Sequence, residues 1–450
     1  MYARKIGMDK AIAFSSGARV IQGIAGVLTV FFVTSFLSGV EQGFYFTFGS
    51  ILALQVFFEL GLTGIMTQYV AHEASHLTIE DNSRFVGDSR YISRLASLVH
   101  FCFKWYAYLA VMAFVSLMII GYIFFNNYGE RESDVSWKIP WLLVCLGTAL
   151  KLFQSPFNSF LLGIGKVKEM SEISFYQQIT IPLSTWIGLI CGLKLYVLGI
   201  GYVLTVLVWQ LYVQRRGFLN IFVYLWKEQI SERVIYLKEI FPYQWRIALS
   251  WVSGYFVFQL FNPVLFATEG AVVAGQMGMT LHALNAIQAF SFSWLNTKIP
   301  FYSQLIALKD YVTLDHHFNI TLKQMTSICL ALLILFFFVI WGLNTTQLKI
   351  GGSIVADRFL GYAPMLLMMI PVYLQQYVNS WATYLRCHKK EPFLVNSVCS
   401  GLTSLFCTFI FGSLYGLYGV TISYFCIAVI FFPWGYWIFK TKKAEWHSLT

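Results

Sequence analysis

The chain has 450 residues, of which 58% are hydrophobic and only 12% are charged. Soluble domains carry roughly 25% charged residues, and a single aqueous core cannot bury so many apolar side chains. The composition therefore excludes a soluble globular chain and indicates a protein whose solvent is lipid. The formal net charge of +10 is also found in nucleic-acid-binding proteins, but the placement of the basic residues explains it differently.

Apolar stretches long enough to cross the hydrocarbon core recur along the whole chain. A crossing helix needs about 20 apolar residues, and backbone groups in lipid must bond internally, so runs of this length are helices and not barrel strands. Ten stretches predict one span each: Val20–Val40, Gln42–His72, Trp105–Gly129, Ile139–Gly165, Ile173–Leu193, Leu195–Gln214, Ile247–Thr268, Gly270–Thr297, Gln324–Leu348 and Phe359–Leu385. The uncharged stretch Pro392–Phe439 predicts two more, turned near Gly412–Gly419. The sequence predicts an all-α integral membrane protein with about twelve transmembrane helices.

The basic residues are unequally divided between the two membrane sides that twelve spans define. Of the 31 Lys and Arg residues, 25 fall in loops on the side of the termini and 5 on the other side, while Lys151 lies within a span. The positive-inside rule therefore predicts that both termini are cytoplasmic. Topology and contact with anionic lipid heads account for the net charge, so no nucleic-acid partner is expected.

The order of the spans predicts two lobes joined by an amphipathic linker. Residues 1–215 form the predicted N-lobe with spans one to six, and residues 243–450 form the C-lobe with spans seven to twelve. Residues 216–242 are predicted to lie on the inner membrane surface as an amphipathic segment. Its apolar residues are Phe218, Ile221, Phe222, Leu225 and Trp226, and its charged residues are Lys227, Glu228, Glu232 and Arg233.

The two halves share a weak internal repeat. Gln154, Asn158, Ser159 and Lys168 recur at the same spacings as Gln375, Asn379, Ser380 and Lys389. Because each half has an even number of spans, the repeats would run parallel, with a substrate site between them near the midplane. Chance matching in a biased composition is the alternative explanation.

Lys151 is the most informative single residue. It lies about twelve residues into the fourth span, where a cation costs about 2.5–3.5 kcal/mol on insertion scales. It therefore needs a wet cavity or an acidic partner. One interpretation is a cationic anchor for an anionic substrate, and the other is a structural ion pair with Glu59.

Arg19 and Arg246 lie at the predicted cytoplasmic mouths of spans one and seven. Either one alone is typical of topology charges that reach the lipid heads. Their matching placement in the two halves suggests that together they receive a phosphate, since guanidinium binds two oxygens at once. We therefore predict Lys151, Arg19 and Arg246 as substrate-binding residues.

Glu59 in the second span and His282 in the eighth are candidates for ion coupling, because either could carry a proton within the membrane. The alternatives are a carboxylate paired with Lys151 and a histidine that is hydrogen-bonded within the bundle. The eight cysteines form no CxxC pair and are predicted to be free thiols. No catalytic residue, cofactor or metal is expected.

His72, Glu73 and His76 match the H-E-x-x-H pattern of zinc proteases. On a helix the two histidines would share a face, and the glutamate could act as general base. The match lies at the polar end of the second span, and the sequence offers no clear third ligand. A membrane protease therefore stays as an alternative function.

Five short segments resemble the Wzx-type O-antigen and polysaccharide flippases of the multidrug/oligosaccharidyl-lipid/polysaccharide exporter (MOP) superfamily. They are Gly39–Tyr45, Glu59–Leu62, Gln68–Ala71, Leu161–Lys166 and Pro300–Ser303. The resemblance covers essentially the whole chain, and it rests on the overall plan more than on any one motif.

The resemblance implies a V-shaped bundle of two six-helix lobes around a cationic central cavity, which Lys151, Arg19 and Arg246 could furnish. It also implies a function. Such proteins move an undecaprenyl-pyrophosphate-linked oligosaccharide, an O-antigen or capsule repeat unit, from the cytoplasmic to the periplasmic leaflet of the bacterial inner membrane. The expected partners are this lipid-linked substrate, membrane lipids and polysaccharide polymerase or assembly proteins.

Two other classes of function remain open. A multidrug or cation exporter of the same superfamily would be expected to rely on acidic cavity residues, whereas the clearest midplane charge here is basic. A membrane enzyme of glycan assembly would be expected to carry a large periplasmic loop with catalytic residues, and the predicted outer loops are short. The sequence therefore favours a transporter over an enzyme.

Overall fold

The computed structural model describes residues 25–26, 28–80, 84–129, 135–350, 353–388 and 390–448. Nearly all of these residues are helical. The helices are α1 (28–36), α2 (Gly39–Leu52), α3 (Val56–Glu59), α4 (Leu62–Ala74), α5 (Ser89–Gly129), α6 (Lys138–Gly163), α7 (Val167–Ile190), α8 (Tyr196–Arg215), α9 (Phe218–Lys227), α10 (Tyr236–Glu239), α11 (Phe241–Phe258), α12 (Phe261–Glu269), α13 (Ala271–Asn296), α14 (Ile299–Ala307), α15 (Tyr311–Thr346), α16 (Tyr362–Arg386) and α17 (Leu394–Ser448). Single 3-10 turns lie at Ala53–Gln55 and Ala356–Arg358.

Two small antiparallel hairpins complete the described secondary structure. Strand β1 (Leu77–Glu80) pairs with β2 (Arg84–Gly87), and β3 (Lys349–Ile350) pairs with β4 (Ser353–Ile354). Each hairpin lies in a connection between two helices. The strands are therefore part of the loops and do not form a sheet core.

The first compact unit comprises the described parts of Ile51–Asn127 and Ser136–Val252. Its core brings together buried apolar residues of α4, α5, α6, α8 and α9, among them Met66, Tyr106 and Trp209. The amphipathic helix α9 buries one face in this core. The predicted apolar residues Phe218, Ile221, Phe222 and Leu225 are buried, whereas Trp226 stays 39% exposed.

The second compact unit comprises the described parts of Arg19–Ser50, Tyr128–Val135 and Ser253–Thr450. A core cluster in it joins α13, α14, α15, α16 and α17 around Tyr302, Phe318 and Tyr384. The order of spans assigns residues before Ser50 to the N-lobe, but α2 packs here because Gly43 approaches Ala271 closely. A Cβ at Gly43 would lie 2.0 Å from the Ala271 carbonyl oxygen. The grouping of the spans into two sets of six stays a prediction.

The predicted second span is a bent pair of helices. Helices α2–α3 and α4 meet at an angle of 41°. The bend lies at Leu60 and Gly61, which both adopt the left-handed region with φ of 49° and 69°. A left-handed leucine interrupts the helical hydrogen bonds, and Glu59 is therefore the last residue of α3.

The predicted seventh span is also two helices, α11 and α12. Pro263 is the third residue of α12, where the first turn tolerates a residue without a backbone N–H. In the middle of a single helix, the same proline would remove a hydrogen bond. The break before Phe261 thus follows from proline chemistry.

The uncharged stretch Pro392–Phe439 forms the two helices that its length predicts. Gly416 interrupts α17 with φ of 55° and ψ of −132°, inside the predicted turn Gly412–Gly419. Glu269 Oε1 accepts a hydrogen bond of 2.6 Å from the Leu417 backbone N–H. This carboxylate caps the helix that follows the turn, as anions do at helix N-termini.

Several helices extend beyond the predicted spans. Helix α5 begins at Ser89 and not near Trp105, α15 begins at Tyr311 and not near Gln324, and α14 occupies a predicted loop. The predicted linker helix is shorter than expected, because α9 ends at Lys227 and Glu228 is extended. Hydropathy reports only the part of a helix that lies in lipid, so charged extensions escape it.

By length and composition, four of the described helices can each cross a membrane, namely α5, α8, α15 and α17. The bent pair of α2–α3 with α4 makes a fifth candidate. The chain is a helical, multi-pass membrane protein, and the number of twelve spans stays a prediction. All eight cysteines are free, as the sequence predicts.

Candidate functional site

Lys151 lies in the middle of α6, on the face that packs against α8. Its Nζ is 5.4 Å from the centroid of the Tyr202 ring, a cation–π distance. Gly147, one turn earlier, allows this approach, since a Cβ there would lie 2.6 Å from Tyr202 Cβ. The side chain is half-buried and makes no direct ion pair with any described residue.

Glu59 is brought towards Lys151 by the break at the end of α3. The two side chains interact electrostatically, and Thr63 Oγ1 donates a hydrogen bond to Glu59 Oε1. Tyr106 of α5 also lies close enough to interact with Glu59. Its ring is fully buried, and its hydroxyl has no hydrogen-bond partner among the described residues. The first unit thus holds an ammonium, a carboxylate and an unsatisfied phenol in one polar cluster.

Polar side chains continue from Lys151 along the same face of α6. Gln154 Nε2 donates to the Val206 carbonyl at 3.1 Å, and Trp209 Nε1 donates to Asn158 Oδ1. Two of the four residues that suggested a repeat in this half, Gln154 and Asn158, therefore join α6 to α8. Buried amides of this kind need such partners in an apolar bundle.

His282 lies in the second unit, on α13. Its ring centroid is 5.9 Å from that of Phe46, and it faces α1 near Gly26. Its Nε2 is buried without a hydrogen-bond partner in the described part of the chain. The structure therefore brings Glu59 and Lys151 together but assigns His282 to a separate environment.

Arg19 lies outside the described residues, and the Arg246 side chain lies outside the described side chains. Arg246 itself belongs to α11.

The H-E-x-x-H segment has a different arrangement from that of a zinc protease. Helix α4 ends at Ala74, so His76 lies beyond the helix, and its ring stacks on Tyr91 at 4.1 Å. Glu73 is buried and forms an ion pair with Arg94 Nε at 3.0 Å, while the His72 side chain is 74% exposed. Within the described residues, no group of three or more His, Cys, Asp or Glu could hold a metal ion.

Arg94 also binds the linker between the two halves of the chain. Its Nη2 lies 2.8 Å from Glu239 Oε2, and Ser93 Oγ accepts hydrogen bonds from the Ser231 and Glu232 backbone N–H groups at 2.8 and 2.9 Å. Glu73 is thus part of the polar contacts that attach the segment 228–239 to α4 and α5. This structural role explains a buried glutamate in the motif.

A buried arginine in the second unit was not predicted as a site residue. Arg358 is only 7% exposed, and its Nη2 donates to the Leu37 carbonyl at 2.7 Å. Gln42 Nε2 donates to the carbonyls of Gly275 and Arg358 at 2.8 and 3.0 Å. Two features of the sequence point to this site. Gln42 is a glutamine inside an apolar run, and Arg358 is a basic residue on the predicted outer side, where basic residues are rare.

The second unit also contains a cavity of about 750 Å³ where α13, α14 and α16 end or begin. We call it the α14 cavity. Its polar lining residues are Asn296, Ser303, Thr383, Arg386 and His388. Ser303 belongs to one of the segments that resemble the polysaccharide flippases.

No family model and no curated protein matches the sequence, but solved structures share the fold. An inward-facing multidrug-resistance MATE transporter of the MOP superfamily aligns over 96% of this chain and 98% of its own, with a TM-score of 0.68 at 14% identity. The lipid II flippase MurJ in an inward closed conformation aligns over 94% and 86%, with a TM-score of 0.53 at 14% identity.

A MOP-superfamily transporter from Pyrococcus furiosus, whose binding pocket is described as having reverse polarity, covers 98% of this chain and 96% of its own. Its TM-score is 0.52 at 12% identity. At these identities the likeness concerns the fold. The chain therefore has the fold of MOP-superfamily transporters over nearly its whole length, which fits the all-α membrane architecture predicted from the sequence.

Proposed function

We propose that the chain is a MOP-superfamily flippase for an undecaprenyl-pyrophosphate-linked oligosaccharide, an O-antigen or capsule repeat unit. It moves this substrate from the cytoplasmic to the periplasmic leaflet of the bacterial inner membrane by alternating access, with both termini in the cytoplasm. The proposal fits the name of one fold relative, a lipid II flippase, since lipid II is itself a lipid-linked substrate by name.

The single observation that carries the proposal is Lys151. A half-buried ammonium in the predicted fourth span, without a direct ion pair among the described residues, has the charge that a phosphorylated headgroup requires. Desolvation of that headgroup is the main barrier to its passage, and a cation with polar neighbours lowers the barrier. The lipid tail can remain in the bilayer throughout.

The proposed roles of the remaining site residues follow from this one. Arg19 and Arg246 bind the phosphates at the cytoplasmic mouth, while Glu59 and His282 are the candidates for ion coupling. Glu59 is the better placed of the two, because its interaction with Lys151 links its protonation to the charge of the substrate site. Proteins that polymerise or assemble the glycan are the proposed partners.

A multidrug or cation exporter is the second candidate, and the Glu59 carboxylate is the observation that favours it. Such a transporter would use the acidic residue as its substrate anchor. The two candidates predict opposite consequences for substitutions at Glu59 and Lys151. The exporter depends on Glu59, whereas the flippase depends on Lys151.

The proposal is tested by gene deletion and complementation in the bacterium that carries the gene. Deletion should abolish surface polysaccharide and leave lipid-linked units in the inner leaflet. Lys151→Ala should fail to restore the polysaccharide, with a fall of about tenfold or more, since a charge-assisted hydrogen bond contributes roughly 1.5–3 kcal/mol. Lys151→Arg should restore it at least in part.

Lys138→Ala is the matched control, because it removes a lysine from the exposed start of the same helix. It should complement fully. Full polysaccharide with Lys151→Ala at normal expression would contradict the flippase proposal. Export of a cationic dye that requires Glu59 but not Lys151, with surface polysaccharide unaffected by the deletion, would identify the exporter instead.

A further inference from the structure

The α14 cavity holds a guanidinium with unused donors. Arg386 ends α16 and binds Glu391 through two bonds, Nε to Oε2 at 2.6 Å and Nη2 to Oε1 at 3.0 Å. Guanidinium has five N–H donors in a planar fork, so this pair leaves three of them available. The Arg386 side chain is 50% exposed and lines the cavity. Glu391 therefore orients the guanidinium and leaves three of its N–H donors available to a ligand.

Apart from Arg386 and His388, the polar side chains of the cavity comprise one donor and two acceptors. The Asn296 side chain forms no hydrogen bond with the described residues, so its amide can donate to a ligand. Ser303 and Thr383 donate their hydroxyl protons to the Ile299 and Asn379 carbonyls at 3.0 and 2.7 Å. Their oxygens retain acceptor capacity, which suits sugar hydroxyl groups.

The first turn of α14 adds a further favourable contribution for an anion. Ile299, the first residue of this nine-residue helix, lines the cavity. The positive end of a helix dipole favours negative charge within the first turn. Lys298, which precedes it, is exposed. Arg386, Asn296 and the first turn of α14 therefore favour an anionic ligand. Glu391 and the two hydroxyl acceptors do not.

We propose that the α14 cavity binds the diphosphate and the adjoining sugar of the lipid-linked substrate, with Arg386 and Asn296 as donors to phosphate oxygens. Ser303 and Thr383 accept hydrogen bonds from the sugar. The ligand class is an isoprenoid-linked diphosphate. This assignment rests on the proposed flippase function, and it adds a headgroup site in the second unit to the Lys151 cluster of the first.

The test measures binding of water-soluble probes to the purified full-length chain in lipid nanodiscs by calorimetry. Farnesyl pyrophosphate, inorganic pyrophosphate and farnesol are compared. Farnesyl pyrophosphate should bind more tightly than inorganic pyrophosphate, and farnesol should bind weakly. Equal affinities of the two pyrophosphates would identify a free diphosphate as the ligand and overturn the lipid-linked assignment.

Three substitutions separate anion binding from a structural role. Arg386→Gln should weaken farnesyl pyrophosphate binding about tenfold or more, and Asn296→Ala about threefold to tenfold. Glu391→Gln should tighten it about twofold to tenfold, because one negative charge near the ligand is lost. If the Arg386–Glu391 pair were purely structural, substitution of either residue would weaken binding equally. That result would overturn the proposal.

Arg216→Gln is the matched control. Arg216 is 51% exposed and also pairs with a carboxylate, Glu172, at 3.0 Å, but it belongs to the first unit. Its loss should leave the affinity unchanged, and an effect equal to that of Arg386→Gln would contradict a specific site. If deletion abolishes surface polysaccharide but Arg386→Gln binds normally, this inference alone fails. If binding depends on Arg386 but deletion leaves the polysaccharide intact, the flippase function alone fails.

Discussion

Arg358 Nη2 donates a hydrogen bond of 2.7 Å to the backbone carbonyl of Leu37, a residue 321 positions earlier in the chain. Gln42 adds hydrogen bonds to the Gly275 and Arg358 carbonyls, and Glu41 interacts electrostatically with Arg358. These contacts tie the turn between α1 and α2 to the loop before α16 within the second unit.

The first prediction concerns the hydrogen bond between Arg358 and the Leu37 carbonyl. Arg358→Ala should lower the free energy of unfolding by about 2–4 kcal/mol, since a buried charge-assisted hydrogen bond is lost and the Leu37 carbonyl is left unsatisfied. Lys349→Ala, an exposed basic residue of the same loop region, should have little effect. Thermal unfolding of the purified variants in detergent measures both. Equal stability of the two variants would contradict the assigned role of Arg358.

The position of Arg358 also illustrates what sequence patterns can and cannot predict. The apolar stretches predict which parts of the chain are helical, because lipid crossing requires continuous hydrophobicity. A loop arginine contributes to that pattern only as a topology charge. Its burial depends on Leu37 and Gln42, which lie far away in sequence, and only the folded chain brings them together.

The candidate site also combines features that the sequence predicts with features that only the folded chain shows. The cost of a charge in lipid is a local property, so the sequence predicts that Lys151 needs a wet cavity or an acidic partner. The structure brings Glu59 within electrostatic range of Lys151, without a direct ion pair. The break at Leu60, which ends α3 at Glu59, could not be predicted, since leucine rarely adopts the left-handed region. Charged extensions such as the start of α5 escape prediction because tertiary contacts of Ser93 and Arg94 stabilise them.

The second prediction concerns the turn at Gly416. Gly416→Ala would place a Cβ 1.5 Å from Glu269 Oε1 and force alanine into positive φ. The substitution should cost about 2–4 kcal/mol of stability, because strain adds to loss of the cap on Leu417. Gly435→Ala, in the same helix, meets its nearest neighbour at 3.5 Å and should be neutral or slightly stabilising. Thermal unfolding distinguishes them, and equal melting temperatures would argue against a strained turn.

The third prediction tests whether the H-E-x-x-H segment is structural. Arg94→Gln should destabilise the protein by about 3–5 kcal/mol, because it leaves the buried Glu73 carboxylate without its ion partner. Arg90→Gln, which breaks the exposed pair with Glu232 at 2.8 Å, should cause no measurable change. Denaturant unfolding measures both variants.

The same segment should show no dependence on zinc. His72→Ala and His76→Ala should leave stability and surface polysaccharide unchanged, and elemental analysis of the purified wild type should find no stoichiometric zinc. Stoichiometric zinc that disappears in both histidine variants would support the protease alternative and contradict the role assigned to Glu73.

The last prediction concerns the pH dependence of the linker. Burial raises the pKa of Glu239, but hydrogen bonds from the Ile235 N–H and from Arg94 outweigh it, and the pKa lies below its usual value of 4.5. A depressed folded-state pKa means that the ionised carboxylate stabilises the fold above pH 4.5. This contribution is lost as the pH falls through the lower, folded-state pKa. The linker should therefore loosen in acid and be insensitive to pH between 5 and 7.

Hydrogen exchange of residues 228–239, corrected for the intrinsic pH dependence of exchange, measures this effect. Protection in the wild type should be constant from about pH 7 to 5 and should decline below about pH 4.5. Glu239→Gln should exchange faster at neutral pH and lose the acid-dependent decline, because its side chain cannot ionise. Glu80→Gln, an exposed residue of β1, should behave as wild type. If Glu239→Gln retains the full acid response, another group attaches the linker to α5, and the contact between Glu239 and Arg94 contributes nothing to it.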